Sequence, residues 1–185
     1  MNHLATSKED ILAASRELIK ENGWAAVSIR AVASRCSVSA GTIYNYYESK
    51  ADLLSDTIES IWHEIFFHPE DEQVFHDVES CISWIYERLE YGNRQFPGFF
   101  SLHSFGFMRD EKTSGKKRMM KTWGHILNGL CEVLGNDPKV RADVFDQEFT
   151  EKKFADILFS LILVSMIRQD YDPSSVLMLV KKTLY

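Results

Sequence analysis

The sequence predicts an all-α protein of about nine helices, in which a short three-helix N-terminal domain precedes a longer helical domain. Apolar residues recur at spacings of three and four along most of the 185 residues, as amphipathic helices require. No alternation of apolar and polar residues typical of β-strands extends over a useful length. Suitable capping residues also precede the helical segments. We place the domain boundary between residues 1–49 and residues 50–185.

The first predicted helix runs from about Ser7 to Asn22. Ser7 is a suitable N-cap, Asp10 lies in the first turn, and Gly23 follows the last turn, where glycine commonly ends a helix. The side chains that we expect to face inward are Ile11, Leu18 and Ile19.

The second and third predicted helices are short and lie very close together in the sequence. Ser28 is a candidate N-cap for the second helix, and Ser39 is a candidate N-cap for the third, which starts at Ala40-Gly41. About three residues separate the two helices, as in a helix-turn-helix. The apolar face of the second helix consists of Ile29, Val32, Ala33 and Cys36.

The third helix carries two apolar anchors four residues apart, Ile43 and Tyr47, which we expect to be buried. The remaining side chains are polar. Thr42 and Asn45 have little structural reason to occupy so short a helix, whereas half-buried packing is the alternative for Tyr44 and Tyr46. These side chains can reach phosphates or base edges of a nucleic acid. The candidate contacts are Thr42, Tyr44, Asn45 and Tyr46.

The start of the fourth helix carries a second indication of phosphate binding. Ser49 and Asp52 resemble a capping box, with Asp in place of the usual Glu. Lys50 falls in the first turn, where a cation opposes the helix dipole. A phosphate bound at this helix end would compensate for that repulsion.

Together these residues resemble the signature of the TetR family of bacterial transcriptional regulators, over about the first quarter to third of the chain. The matching residues are Ser28, Arg30, Val32, Ala33, Cys36-Ser37-Val38-Ser39, Gly41-Thr42-Ile43-Tyr44, Tyr46-Tyr47, Ser49-Lys50 and Leu53. The resemblance implies an N-terminal helix-turn-helix DNA-binding domain and a C-terminal helical ligand-binding and dimerisation domain. It also implies a capping role for Ser28 and DNA contacts by Arg30, Ser39, Thr42, Tyr44, Tyr46 and Lys50.

Two residues depart from the family pattern. The family usually has Gly where this chain has Ser37, and a serine in a left-handed turn costs about 1 kcal/mol. Ser37 therefore predicts mild strain or a shifted turn. Cys36 replaces a usual Ala, which is a packing change.

The middle of the chain continues the helical pattern. The fourth helix carries Leu54, Ile58, Ile61 and Ile65 on its expected inward face. A fifth helix begins at Pro69 with Glu70-Asp71-Glu72, and its apolar stripe consists of Val74, Val78, Ile82, Ile85 and Leu89. A sixth segment follows Pro97-Gly98, and a seventh helix runs from about Lys116 to Leu134.

The last two helices, at about 150–169 and 173–184, predict a homodimer. Apolar residues surround nearly the whole of the first one near its middle, and a single core cannot cover all of its sides. Two such helices from each protomer can form a four-helix interface around a twofold axis. The family resemblance implies dimerisation in the same place. The alternative is the ordinary core of a monomer.

The aromatic-rich middle of the chain fits an apolar cavity with few polar groups, which would hold a small effector. Ordinary core packing is the alternative for any single one of these residues. The candidate pocket residues are Trp62, Trp84, Tyr86, Phe99, Phe100, His103, Phe107 and Trp123.

The chain is acidic overall, with a net charge of −6 and a pI near 5.5. The charge is uneven, because residues 1–50 contain six Lys/Arg and five Asp/Glu. We therefore expect specific contact with DNA at low salt and weak nonspecific binding.

Other features exclude several classes of protein. Three well-separated cysteines favour reduced thiols in a cytoplasm. The N-terminus lacks a signal-peptide pattern, and the longest near-apolar run, residues 157–167, is too short to span a bilayer. Six histidines form no close pair of metal ligands. We expect no metal, no cofactor and no catalytic residue.

The functional hypothesis is therefore a cytoplasmic, ligand-responsive DNA-binding regulator. As a homodimer it would repress by binding a palindromic double-stranded operator, and a small, largely apolar effector would release it. The alternative is a helical-bundle small-molecule carrier or enzyme that retains the N-terminal domain as a scaffold.

Overall fold

The structure is a computed structural model that describes residues 6–66, 75–100 and 114–185, with side chains from residue 123 onward in the last range. These residues form eight α-helices, a 3₁₀ turn at Trp24–Ala26 and no β-strand, which confirms the all-α prediction. The helices are α1 (Lys8–Asn22), α2 (Ile29–Arg35), α3 (Ala40–Tyr44), α4 (Lys50–Phe66), α5 (Val78–Gln95), α6 (Ser114–Asn136), α7 (Glu151–Arg168) and α8 (Ser174–Leu184). Most of the sixth predicted segment, after Pro97-Gly98, lies outside the described residues.

The described residues divide into two compact units. The first, which we call the head, comprises residues 6–66 and 95–97, and the second, which we call the body, comprises residues 75–94, 98–100 and 114–185. In this division by contacts, α4 belongs to the head. The boundary predicted after residue 49 instead separates a DNA-binding domain from a ligand-binding and dimerisation domain, and it stays a prediction.

Helix α1 begins and ends where the sequence predicts. The Ser7 side chain accepts a hydrogen bond from the Asp10 backbone, and the Asp10 carboxylate accepts one from the Ser7 backbone at 2.8 Å. The Ser7 hydroxyl also donates to the Asp10 carboxylate at 2.6 Å. This bond and the one from the Ser7 backbone lower the pKa of Asp10, since they stabilise its charged form. Gly23 ends the helix with a φ of 76°, a left-handed conformation that suits glycine. Ile11 and Ile19 are buried, whereas Leu18 is only half-buried.

The inward face of α4 matches the prediction at Ile61 and Ile65 and differs from it in the first half of the helix. Leu54 and Ile58 are half-buried, and the buried row runs instead through Leu53, Thr57, Ile61 and Ile65. The reason is Thr57, whose hydroxyl donates to the Leu53 carbonyl at 2.7 Å. This bond satisfies the hydroxyl inside the core, so a residue that looks polar in the sequence occupies an inward position.

Helix α5 begins at Val78, later than the predicted start near residue 69. Asp77 explains this start, because its carboxylate accepts a hydrogen bond from the Ser80 backbone at 2.7 Å. The predicted stripe is confirmed at Val78, Ile82, Ile85 and Leu89, which are all buried. Val74 lies outside the described residues.

Asp137, just after α6, joins three parts of the body. Its carboxylate accepts hydrogen bonds from the Val78 backbone at 2.9 Å and the Tyr185 hydroxyl at 2.5 Å. It also accepts one from the Lys139 backbone at 2.9 Å. No sequence pattern predicts this junction, because the partners of Asp137 come from distant positions in the chain.

The apolar character of α7 extends around the helix, as predicted. Five residues face the core of the body, namely Phe154, Ala155, Leu158, Ile162 and Met166. Three large apolar side chains lie on the opposite side, Ile157, Val164 and Ile167, with exposed fractions of 44%, 45% and 39%. Among the described residues, no helix is long and apolar enough to cross a membrane.

Candidate nucleic-acid interface

The polar surface around α3 depends on a tightly fixed turn. Ser28 caps α2 by accepting from the Ala31 backbone at 3.1 Å, and Ser39 caps α3 by accepting from the Thr42 backbone at 3.2 Å. Between the two helices, Ser37 adopts a left-handed conformation with a φ of 56°. The chain therefore keeps the turn and accepts the strain of a serine in it, which was one of the two predicted outcomes.

Two side chains anchor this segment to the core of the head. Ile43 is 0% exposed and Tyr47 is 4% exposed, as predicted. Helix α3 itself spans five residues and ends at Tyr44, so Tyr47 anchors the turn that follows it. These anchors hold α3 with its other side chains facing outward.

The outward side chains are polar and differ in their exposure. Tyr44 is 56% exposed, Asn45 is exposed, and Thr42 is half-buried. The Thr42 and Ser39 hydroxyl oxygens lie 3.0 Å apart, so the two groups form a small hydrogen-bonded cluster at the start of α3. A surface of this kind can donate to and accept from base edges or phosphates.

Tyr46 has an internal partner that the sequence did not predict. Its ring is half-buried, and its hydroxyl donates to the Thr6 carbonyl at 2.7 Å. This bond ties the residue preceding α1 to the segment that follows α3. In this arrangement the hydroxyl of Tyr46 is engaged within the protein, whereas the residue as a whole remains partly exposed.

Two cations flank α3 in the sequence, Arg30 in the first turn of α2 and Lys50 at the first residue of α4. Both are exposed. The Ser49 side chain accepts from the Asp52 backbone at 3.2 Å, so the predicted cap of α4 is present beside Lys50. Both cations lie at helix N-termini, where backbone N–H groups also favour a bound anion.

The candidate pocket residues fall into three groups. Trp62 belongs to the head and stacks on Phe66 at 5.6 Å between ring centroids. His103 and Phe107 lie outside the described residues. The others are body residues, namely Trp84, Tyr86, Phe99, Phe100 and Trp123.

Within the body, Tyr86 is buried and carries a polar group into the interior. It is 1% exposed, and its hydroxyl lies 2.8 Å from that of Ser165. Burial raises the pKa of Tyr86, which keeps the phenol neutral. Phe99 and Phe100 are buried with their ring centroids 5.3 Å apart. This arrangement fits both a packed core and the wall of an apolar pocket.

Comparison with known proteins agrees with the geometry of the head. The family described as bacterial regulatory proteins, tetR family, matches residues 11–57. The HTH-type transcriptional regulator UidR of Escherichia coli strain K12 is 40% identical over 48 residues, which are 26% of this chain and 24% of UidR. The match thus spans about a quarter of that relative. The N-terminal segment, residues 11–57, is therefore similar to the tetR family of bacterial regulatory proteins.

Solved structures resemble the chain over nearly its whole length. A transcriptional regulator from Rhodococcus sp. Rha1 superposes with a TM-score of 0.65 at 19% identity, covering 91% of this chain and 86% of its own. The regulator FadR from Bacillus subtilis, solved in complex with stearoyl-CoA, also gives 0.65 at 18% identity, covering 97% of this chain and 100% of its own. At this low identity the likeness shows a shared fold.

Proposed function

We propose that this protein is a DNA-binding transcriptional regulator whose head reads duplex DNA. The observation that carries the proposal is the exposed polar surface on α3, which the Ser28 and Ser39 caps fix in place between two exposed cations. A helix-turn-helix of this kind enters the major groove with the second of its helices. Tyr44 and Asn45 are the most exposed candidates for base or phosphate contacts, with Arg30 and Lys50 directed at phosphates.

We extend the proposal to a homodimer that uses the last two helices. Ile157, Val164 and Ile167 share one face of α7, and on α8 Met178 and Leu179 are 57% and 37% exposed. Large apolar side chains that are exposed on a helix favour a protein interface. A second copy of the chain fits this surface, because a twofold axis would bring identical apolar faces together. Two heads related by that axis would then read a palindromic operator.

The regulatory part of the proposal is repression relieved by a small, largely apolar effector bound in the body. The aromatic side chains of the body and the Tyr86 hydroxyl supply the apolar lining and one polar group. The acyl-CoA ligand in the FadR structure supports an apolar probe as the first choice. Such a ligand acts by favouring one conformer over another, and here the favoured conformer would fit the operator less well.

Selection of bound duplexes from random DNA by the full-length protein tests the proposal. We expect enrichment of one palindromic sequence. Addition of stearoyl-CoA, the apolar effector probe, should release the protein from that sequence. Asn45→Ala should change the base preference, whereas Asn22→Ala, an exposed asparagine at the end of α1, should leave it unchanged. Failure to enrich any sequence at low salt would refute the regulator and favour a carrier or enzyme.

A further inference from the structure

We infer that the head presents two cations per protomer to DNA phosphates, Arg30 and Lys50, because its other four are neutralised by its own carboxylates. This inference rests on the proposed function and adds to it a specific electrostatic character. The sequence places six Lys/Arg in residues 1–66, all of them among the described residues. Their partners in the structure decide which of them remain available.

Three of the paired cations lie on α1 and contact carboxylates of α4. Lys8 Nζ lies 2.6 Å from an Asp56 oxygen, and Arg16 Nε lies 2.9 Å from a Glu64 oxygen. Lys20 Nζ lies 2.9 Å from the other Glu64 oxygen. Arg16 and Lys20 also each contact a carboxylate on α1 itself. These pairs link α1 to α4 and leave little net positive charge on that side of the head.

Arg35 forms the fourth internal pair, with Glu21. Its two terminal nitrogens lie 2.6 Å and 2.5 Å from the two Glu21 oxygens, a bidentate arrangement in which both charges are directed at each other. The Arg35 hydrogen bond also lowers the pKa of Glu21, so this carboxylate stays charged at neutral pH. Arg35 lies on the same helix as Arg30 but faces a partner of its own chain.

Arg30 and Lys50 differ from these four, since the described residues supply no ion pair for either one. Both lie in the first turn of a helix, where a cation opposes the dipole. The fold therefore gains nothing from their charge at these positions. Either cation can stabilise a DNA phosphate directly, and at Lys50 the N-terminus of the 17-residue helix α4 adds to this stabilisation.

The net charge of the head also supports the inference that few of its cations attract DNA. The head contains six Lys/Arg and nine Asp/Glu, a net charge of −3 with histidine neutral. A net negative head does not attract DNA over long distances. Nonspecific affinity, which depends almost entirely on phosphate contacts, should then be low. Discrimination would rest on the uncharged groups of α3.

The salt dependence of binding measures the number of phosphates neutralised. Each one contributes about −0.9 to the slope of log K against log salt concentration. Two cations predict a slope of about −1.8 per bound protomer, whereas six would give about −5.4. The difference is large enough to separate the two cases without any variant.

The experiment uses the full-length protein, the duplex enriched from random DNA and an unrelated duplex, with binding measured by fluorescence anisotropy over a series of KCl concentrations. The matched variants are Arg30→Ala and Arg35→Ala, two exposed arginines of α2. Arg30→Ala should flatten the slope by about 0.9 per protomer, and Arg35→Ala should leave it unchanged. Circular dichroism in urea establishes that both variants fold.

Two results would overturn the inference while leaving the regulator intact. One is a slope near −5.4 per protomer in the unaltered protein, as six phosphate contacts would produce. The other is an equal flattening by Arg35→Ala and Arg30→Ala. Absence of binding to any duplex at the lowest salt is a distinguishable outcome, since it refutes the proposed function and this inference with it.

Discussion

The head and the body position their candidate functional groups in different ways. In the head, Ser28 and Ser39 fix the geometry through hydrogen bonds to residues only three positions away. In the body, Tyr86 contacts Ser165, which is 79 positions away. Local bonds depend on a short stretch of sequence, whereas distant contacts depend on the packing of whole helices. Function is therefore easier to infer from the sequence in the head than in the body.

The exposed surfaces of the two units also differ in chemistry. The head exposes polar and cationic groups such as Arg30, Asn45 and Lys50, which suit a charged, hydrogen-bonding polymer. The last two helices of the body expose apolar groups such as Val164 and Met178, which suit another apolar surface. Under the proposed function, the first surface would contact nucleic acid and the second would contact another copy of the chain, so we expect substitutions in one surface to leave the other unchanged.

The largest expected effect comes from a charge placed in the apolar face of α7. Val164→Glu should convert a dimer to a monomer, because an unpaired buried carboxylate is strongly unfavourable in an interface. Loss of the second head should weaken operator binding by at least about 100-fold, since two linked contacts bind far more tightly than one. Analytical ultracentrifugation measures the dimer, and anisotropy measures the affinity.

The matched control is Lys152→Glu, which changes an exposed residue at the polar end of the same helix. It should leave both the dimer and the affinity nearly unchanged. A Val164→Glu protein that remains a dimer would show that this face does not form the interface.

The next prediction distinguishes the buried anchor of α3, Ile43, from its exposed candidate DNA contact, Tyr44. Ile43→Ala should lower the free energy of unfolding by about 3 kcal/mol, because it removes a fully buried side chain and leaves a cavity. Tyr44→Ala, at the neighbouring exposed position, should change it by less than about 0.5 kcal/mol while weakening DNA binding. Urea unfolding and anisotropy together test the pair, and a reversed order of stabilities would contradict the assignment of the two faces.

Much of the head could be predicted from the sequence because its signals are local. The caps at Ser7, Ser28 and Ser39 and the anchors Ile43 and Tyr47 follow from spacing and side-chain chemistry over a few residues. The strain at Ser37 was one of two outcomes that the resemblance to the TetR pattern implied. The bond between Tyr46 and Thr6 could not be predicted in this way. It joins residues 40 positions apart, and no short pattern encodes such a contact.

In the body, sequence patterns predicted buried faces better than helix starts and long-range contacts. The stripe of α5 was correct because periodicity alone identifies a buried face. Its start was wrong, since the acidic run near residue 70 resembles a helix start, whereas Asp77 supplies the cap. The junction at Asp137 had no signal at all. The DNA contacts and the pocket residues stay predictions, because contact with a partner is not a property of the chain's own packing.

A smaller effect tests the start of α5. Asp77 caps the helix and contacts Lys139 Nζ at 2.7 Å. The Lys139 hydrogen bond, followed by those from Ser80, holds the pKa of Asp77 at about 2, below its ordinary value of 3.8. Asp77→Ala should therefore cost about 1 kcal/mol at neutral pH.

The pH dependence gives the sign of this effect. A depressed pKa means that the charged carboxylate stabilises the fold above pH 4, and this contribution is lost as the pH falls through about 2. The gap in unfolding free energy between the unaltered protein and Asp77→Ala should accordingly narrow below pH 4. Lys139→Ala is the control for the exposed ion pair alone and should cost less than about 0.5 kcal/mol. If the difference in unfolding free energy did not change with pH, the charge of Asp77 would not be the source of its stabilising effect.

The smallest effect tests the strain in the turn of the head. Ser37→Gly relieves a left-handed serine, which is worth about 1 kcal/mol, but it also increases the entropy of the unfolded chain by a comparable amount. The net change should be a gain of a few tenths of a kcal/mol or less. Ser34→Gly, in the α2 helix three residues earlier, has no strain to relieve and should lose about 0.5 to 1 kcal/mol. Because both variants make the same chemical change, the difference between their unfolding midpoints reports the backbone conformation at position 37 alone. Equal losses in the two variants would mean that the turn is unstrained in solution and that the missing glycine of the family pattern was replaced without cost.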